Sequence, residues 1–348
     1  MRAGRVVAVV ATLTMATVLG LSACGSKGTG QSSSSSMTST TTSAPGQPAG
    51  VLTVDDIPFF ADGKTLDAFL PDPRPSRPVP AVVLVHGGGW VGGERSVWAP
   101  YAERMVREQG WAVFSIDYDV ASTDPHAWPD EFHEVQAAVR FVAGNAQAFG
   151  IDAARIAVLG ESAGGNLAAL VSSIGTVRTI TGSAKGEIGA GSRVNAITVR
   201  GAALEFPSPT LDVPIVVAGL WSAPTELAPL APPAPGTPAP GCGSNAACEF
   251  AWDSGDVVQY LGCRPATCPA KYAEASPIDQ VTRATSPSFV SNSTMELVPV
   301  DQATDYVAAL RVAGVPNQLK IVDGQMHALQ TADAVWDDTM TFFARYLD

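Results

Sequence analysis

Positive charge is scarce in this chain, and no basic cluster lies outside its N-terminal segment. The 348 residues carry 21 Lys and Arg against 33 Asp and Glu, a formal net charge of −12, and the isoelectric point is about 4.7. Such a surface argues against a nucleic acid partner and against electrostatic adhesion to anionic lipid, both of which need basic side chains. A bilayer-spanning run is also missing. The apolar stretch 6–21 is roughly 16 residues, short of the roughly 20 needed to cross a bilayer. Cysteines number five, and the four C-terminal ones lack the C-x-x-C spacing of a zinc site. Histidines number four, so few residues can serve as a base near neutral pH.

What is present at the N-terminus reads as targeting. Arg2 and Arg5 precede the apolar stretch, and Leu21-Ser22-Ala23-Cys24 has the form of a lipobox. The expectation is a signal peptide over residues 1–23 and lipid, such as palmitate, on Cys24, with an ordinary signal peptide or a retained helix as the alternatives. Residues 24–50 are Ser, Thr, Gly, Pro and Gln with few large apolar groups, a composition expected to remain a disordered tether. The implied location is exported and lipid-anchored at the outer face of the cell membrane.

Residues 51–348 are left for one folded domain. Short β-rich runs alternate with helical stretches, which predicts an α/β fold with a mostly parallel sheet of about eight strands covered on both faces. Expected strands are 52–54, 65–70, 81–85, 112–116, 156–159, 215–218, 288–291 and 318–322. Expected helices are 98–109, 132–148, 165–174, 301–313 and 332–347. Two irregular segments, 178–214 and 223–275, read as insertions beside the site. The second holds Cys242, Cys248, Cys263 and Cys268. In an oxidising compartment their spacing suggests Cys242 with Cys248 and Cys263 with Cys268, among three possible pairings.

Two motifs carry chemistry. Gly160-Glu161-Ser162-Ala163-Gly164 follows the apolar run 156–159 and precedes a helix-forming stretch. A serine between glycines at a strand-to-helix turn is a nucleophile elbow that holds the hydroxyl up at the sheet edge. His86-Gly87-Gly88-Gly89-Trp90 follows the strand 81–85. Consecutive glycines there can turn backbone N–H groups toward a developing oxyanion.

Together these motifs resemble those of the α/β-hydrolase fold, and within it the esterase and lipase group. Asp117-Tyr118, and Ala127-Trp128-Pro129 before a helix, extend the likeness, with Asp119 where arginine is usual. The resemblance runs from about Pro58 to Leu347. It implies a serine carboxylic ester hydrolase with no cofactor or metal and a small-molecule ester as substrate. Ser162 is the implied nucleophile, and the N–H groups of Ala163 and of Gly88 or Gly89 form the oxyanion hole.

Chain order in this fold is Ser, acid, His, and only His327 among the four histidines follows Ser162. His86 is expected to brace the glycine loop, and His126 and His133 to be structural or rim-exposed. The group's acid segment aligns with 291–299, which puts Met295 at the acid position. Glu296 is one residue on and is the expected acid; Glu226 and Asp301 are further candidates. Met295 also motivates an alternative, a catalytically weakened lipoprotein of the same fold that binds a ligand without turning it over.

Overall fold

Strand-forming residues recur along the chain with apolar side chains on both faces, and the architecture follows from that. A computed structural model describes residues 50–60, 63–121, 128–177, 193–231 and 255–348. The strands are β1 (Gly50–Pro58), β2 (Thr65–Asp72), β3 (Val79–Val85), β4 (Ala112–Ile116), β5 (Ile151–Glu161), β6 (Thr176–Val177), β7 (Arg193–Val199), β8 (Ala202–Glu205), β9 (Val213–Trp221), β10 (Ser288–Ser293) and β11 (Asn317–Val322). The α-helices are α1 (Ala99–Gln109), α2 (Asp130–Gly144), α3 (Ala146–Phe149), α4 (Ser162–Ser173), α5 (Asp256–Leu261), α6 (Pro269–Ala275), α7 (Val300–Ala313) and α8 (Ala332–Leu347).

The main sheet runs β1-β2-β4-β3-β5-β9-β10-β11, with β6 joined to β9. From β4 through β11 in that order neighbours are parallel, while β1–β2 and β2–β4 are antiparallel. This is the α/β-hydrolase arrangement expected from the sequence. Each expected strand is present, most of them one to five residues longer at an end.

Alternate residues of the central strands feed two cores. Val83, Val85, Phe114 and Val158 face α2, α4 and α7 in one cluster. Leu84, Val113, Leu159 and Val217 face α1 and α8 in the other. Burial on both faces explains why the strands read as continuous apolar runs. Helix α8 packs through Val335, Trp336, Met340, Phe343 and Leu347, all buried. Truncating Phe343, which lies at 0% exposure, would cost about 3–5 kcal/mol by the usual large-to-small penalty.

Three departures have physical reasons. The helix expected over 132–148 breaks at Asn145, whose side-chain amide donates to the Phe141 and Glu205 carbonyls. This satisfies helix-end acceptors and anchors β8. The helix expected to start at residue 165 starts at Ser162, with no separate turn between strand and helix. The insertions contain order of their own: the β7–β8 hairpin in the first, and α5 and α6 in the second.

Cys263 and Cys268 form a disulfide in the turn between α5 and α6. Cys24, Cys242 and Cys248 lie outside the described residues, as do residues 1–49, where the signal peptide and most of the tether are expected. Among the described residues no helix is long and apolar enough to cross a membrane.

Candidate active site

Five chain segments leave the C-terminal ends of parallel strands β3, β5, β9, β10 and β11 and converge, the position where open α/β sheets bind ligands. They carry the glycine loop, Ser162, Ser222, Glu296 and His327 respectively.

The elbow after β5 is fixed by crowding. A Cβ at Gly160 would lie 2.1 Å from the Gly164 carbonyl oxygen, and one at Gly164 would lie 2.2 Å from that of His86. Only glycine fits at either place, which is why the serine is flanked as it is. Ser162 itself takes φ 52°, a left-handed conformation that costs a non-glycine residue free energy and recurs where a side chain must be held for function. It is the first residue of α4, so the N–H of Ala163 lies in the first turn and has no intrahelical acceptor.

Ser162 stands directly after the C-terminal end of β5, at the sheet edge where the sequence places it. It is 7% exposed and lies at the wall of a pocket of about 310 Å³ that is also lined by Gly88, Gly89, Trp90, Val257, Leu297 and His327. A solute reaches its hydroxyl through that pocket.

His327 follows β11 as expected. Its Nε2 lies 2.9 Å from Ser162 Oγ, and its Nδ1 is hydrogen-bonded to Glu296 Oε2. Because the carboxylate can only accept, Nδ1 carries the proton and Nε2 is left to accept one from the serine. Glu296 is 2% exposed. Its Oε1 accepts Ser222 Oγ–H at 2.8 Å and the Ser293 N–H at 2.9 Å, so both carboxylate oxygens are satisfied in the buried site.

The carboxylate that meets the imidazole is therefore that of Glu296, and Met295 beside it is 53% exposed. The loop is set by bonds to the segment after β11: Met295 N–H to the Gly324 carbonyl at 2.9 Å, and Ser293 Oγ–H to the Met326 carbonyl at 2.6 Å. Those bonds shift the acid by one position relative to the aligned pattern. Glu226 and Asp301 are not brought to His327; both line a separate small pocket. Burial, reinforced by repulsion from Asp279, Asp305 and Asp301, raises the Glu226 pKa.

His86 braces the glycine loop, as the sequence predicts. Its ring stacks on Tyr118 at 4.2 Å between centroids, and its Nδ1 lies 2.7 Å from the Gly87 carbonyl. Burial lowers its pKa, with the Gly87 bond opposing. The Gly88 carbonyl accepts the N–H groups of Val91 and Gly92 at 3.1 and 3.0 Å. In a trans peptide the N–H points opposite to the carbonyl, so each bond aims the next amide: Gly87 O fixes Gly88 N–H, and Gly88 O fixes Gly89 N–H. His133 sits on α2, away from these groups, and His126 lies outside the described residues.

Several contributors carry no sequence signal. Ser222, at φ 53°, is one serine among many until the fold sets it between the acid and base loops. Tyr260 of α5 stacks on Trp90 at 4.6 Å and braces one side of the pocket from within the irregular insertion. Asp119, where the related motif has arginine, pairs with Lys64 at 2.7 Å. Among the described residues no group of His, Cys, Asp and Glu could hold a metal.

The chain resembles known proteins in sequence and in fold. A family model described as BD-FAE matches residues 66–208. The chain is 39% identical to "Esterase LipC" of Mycobacterium tuberculosis over 105 residues, 30% of this chain and 26% of that protein. It is 38% identical to "Carboxylesterase NlhH" of the same species over 96 residues, 28% of this chain and 30% of that one. The match thus spans under a third of these relatives. Among solved structures, "Truncated form of carbohydrate esterase from gut microbiota" superposes with a TM-score of 0.65 at 19% identity, covering 87% of this chain and 99% of the other. "EstE1, a New Thermophilic and Thermostable Carboxylesterase" gives 0.60 at 22%, covering 87% and 90%. With the elbow, the glycine loop and the order of strands, these likenesses show the α/β-hydrolase fold and a similarity to esterases that share it.

Proposed function

We propose that this protein is a serine carboxylesterase acting on small or medium esters through an acyl-enzyme. The carrying observation is the unbroken chain of contacts from Ser162 Oγ through His327 to Glu296. A serine hydroxyl is a weak nucleophile unless a base takes its proton, and Nε2 lies within reach to do so.

In this mechanism Ser162 Oγ attacks the ester carbonyl carbon as its proton passes to His327 Nε2. The amides of Ala163, Gly88 and Gly89 hold the negative charge that builds on the carbonyl oxygen. The imidazolium then gives its proton to the departing alcohol, leaving the acyl group on Ser162. Water enters, His327 takes its proton, and the carboxylic acid leaves as Ser162 regains its own. Glu296 keeps Nδ1 protonated and stabilises the imidazolium without itself gaining the proton.

The apolar wall of Trp90, Leu230, Val257, Leu297 and Val298 suits the hydrocarbon part of such an ester. The relatives' names, LipC and NlhH among them, favour ester over amide substrates. Purified protein is expected to hydrolyse p-nitrophenyl acetate or butyrate and to bind a fluorophosphonate probe at Ser162. Equal hydrolysis by Ser162→Ala, or none by the wild type, would refute the assignment.

Export and lipid attachment at Cys24 belong to the same proposal and rest on residues 1–24. Cells fed labelled palmitate should label the native chain and not Cys24→Ser; equal labelling of both would reject the anchor.

A further inference from the structure

Glu161, the variable residue of the elbow motif, precedes the nucleophile directly, is 8% exposed, and has no part in the mechanism above. Its Oε1 accepts the N–H of Gly87. A Cβ placed on Gly87 would lie 2.5 Å from Oε1 and 2.7 Å from both Cδ and Oε2, so the carboxyl group lies directly against this backbone. The other side of the same peptide is held too: the His86 carbonyl accepts Tyr118 O–H at 2.9 Å.

The 86–87 peptide is therefore gripped from both sides, by the elbow through Glu161 and by the segment after β4 through Tyr118. With the bonds at Gly87 O and Gly88 O, the loop's successive peptide planes from 86 to 89 are fixed. Gly87 N–H is consumed by Glu161 and is no oxyanion donor, whereas Gly88 and Gly89 are aimed by their preceding carbonyls. We propose that Glu161 is a positioning residue that clamps the glycine loop to the nucleophile elbow and so sets the oxyanion amides relative to Ser162 Oγ. This rests on the esterase reading.

Several features favour a clamp over simple core filling. The carboxyl group is desolvated, and its pKa is raised by burial and by the nearby Glu296, with the Gly87 bond and His327 opposing the rise. An apolar side chain would fill such a site more easily. What a carboxylate adds is a strong acceptor for a backbone amide, directed to a loop 74 residues away in sequence.

The test compares Glu161→Ala, Glu161→Gln and Tyr118→Phe with the wild type, in steady-state hydrolysis of p-nitrophenyl butyrate and in the rate of fluorophosphonate labelling of Ser162. The amide carbonyl of Gln can still accept the Gly87 bond; Ala cannot. Loss of one oxyanion donor costs about 10²–10³ in kcat, so Ala is expected to lose about 10² in kcat with KM little changed. Gln should restore most of that loss. Tyr118→Phe, which frees the other side of the same peptide, should lower kcat and not KM.

A kcat for Ala within about threefold of wild type would overturn the proposal, given the cost expected for a misplaced donor. A Gln variant as impaired as Ala would do the same. If Ala fails to fold, a soluble Gln or Phe variant altered only in KM also overturns it. Absence of both turnover and labelling in the wild type would instead defeat the esterase reading on which the clamp rests.

Discussion

Ser222 Oγ sits between the acid and base loops, donating to Glu296 Oε1 at 2.8 Å and accepting the Ala328 N–H at 2.9 Å. One hydroxyl thus joins the segment after β9 to the loops after β10 and β11, and fixes the distance at which Glu296 meets His327.

Ser222→Ala should leave the buried Ala328 amide without a partner and Glu296 Oε1 with the Ser293 N–H alone. An unsatisfied buried polar group costs about 1–3 kcal/mol, so urea or thermal unfolding should show a loss of that order. Turnover should fall by about tenfold, since a misdirected orienting acid weakens but does not remove the base. Unchanged stability and kcat would mean that Ser222 is incidental.

Glu296→Gln keeps the shape of the acid but presents either an N–H or a weaker acceptor to Nδ1. By comparison with a serine protease triad, the expected loss in kcat is as much as about 10⁴. Met295→Ala, one residue away and half exposed, should change kcat little. The reverse pattern in ester hydrolysis would contradict the loop geometry that sets Glu296 against the imidazole.

Glu131 on α2 is fully buried, and desolvation, reinforced by the neighbouring Glu134, Asp130 and Asp119, pushes its pKa up from 4.5 to about 9. In the unfolded chain this carboxyl ionises above about 4.5, while the folded protein keeps its proton until about 9. The native state binds more protons across that window, so this group's contribution makes stability fall as pH rises, by at most about 1.4 kcal/mol per pH unit. Glu131→Gln should therefore gain on the wild type steadily between pH 5 and 8 in thermal unfolding. A difference independent of pH would show that Glu131 does not titrate this way.

Tyr260→Ala should remove the support beneath Trp90, whose ring forms part of the pocket wall. Stacked aromatic pairs contribute about 0.5–1.5 kcal/mol beyond their area. If that support is felt mainly in substrate binding, KM for p-nitrophenyl butyrate should rise by roughly three- to tenfold with kcat less affected. A change confined to kcat would place Tyr260 among the residues that fix the oxyanion loop.

Much of the site was legible before any coordinates. Glycines at 160 and 164 admit one local geometry around Ser162, and consecutive glycines at 87–89 after a strand suit a loop that offers its amides. His327 follows from the chain order of this fold, and the alternating apolar strands with their amphipathic partners specify a sheet with two covered faces. These are local or periodic signals, written in residue type and spacing.

The rest depends on contacts between segments far apart in the chain. Glu296 displaced the aligned Met295 because bonds to Gly324 and Met326, some 30 residues on, turn its loop. Ser222 meets Ala328 across 106 residues. Position in a motif could mark Glu161, but not that its carboxyl group reaches Gly87. Sequence by itself determined which backbone shapes were possible at the elbow and the glycine loop, because sterics act between neighbours. Which acid faces the imidazole, and what holds the loops in place, was decided only when the sheet brought its strand ends together.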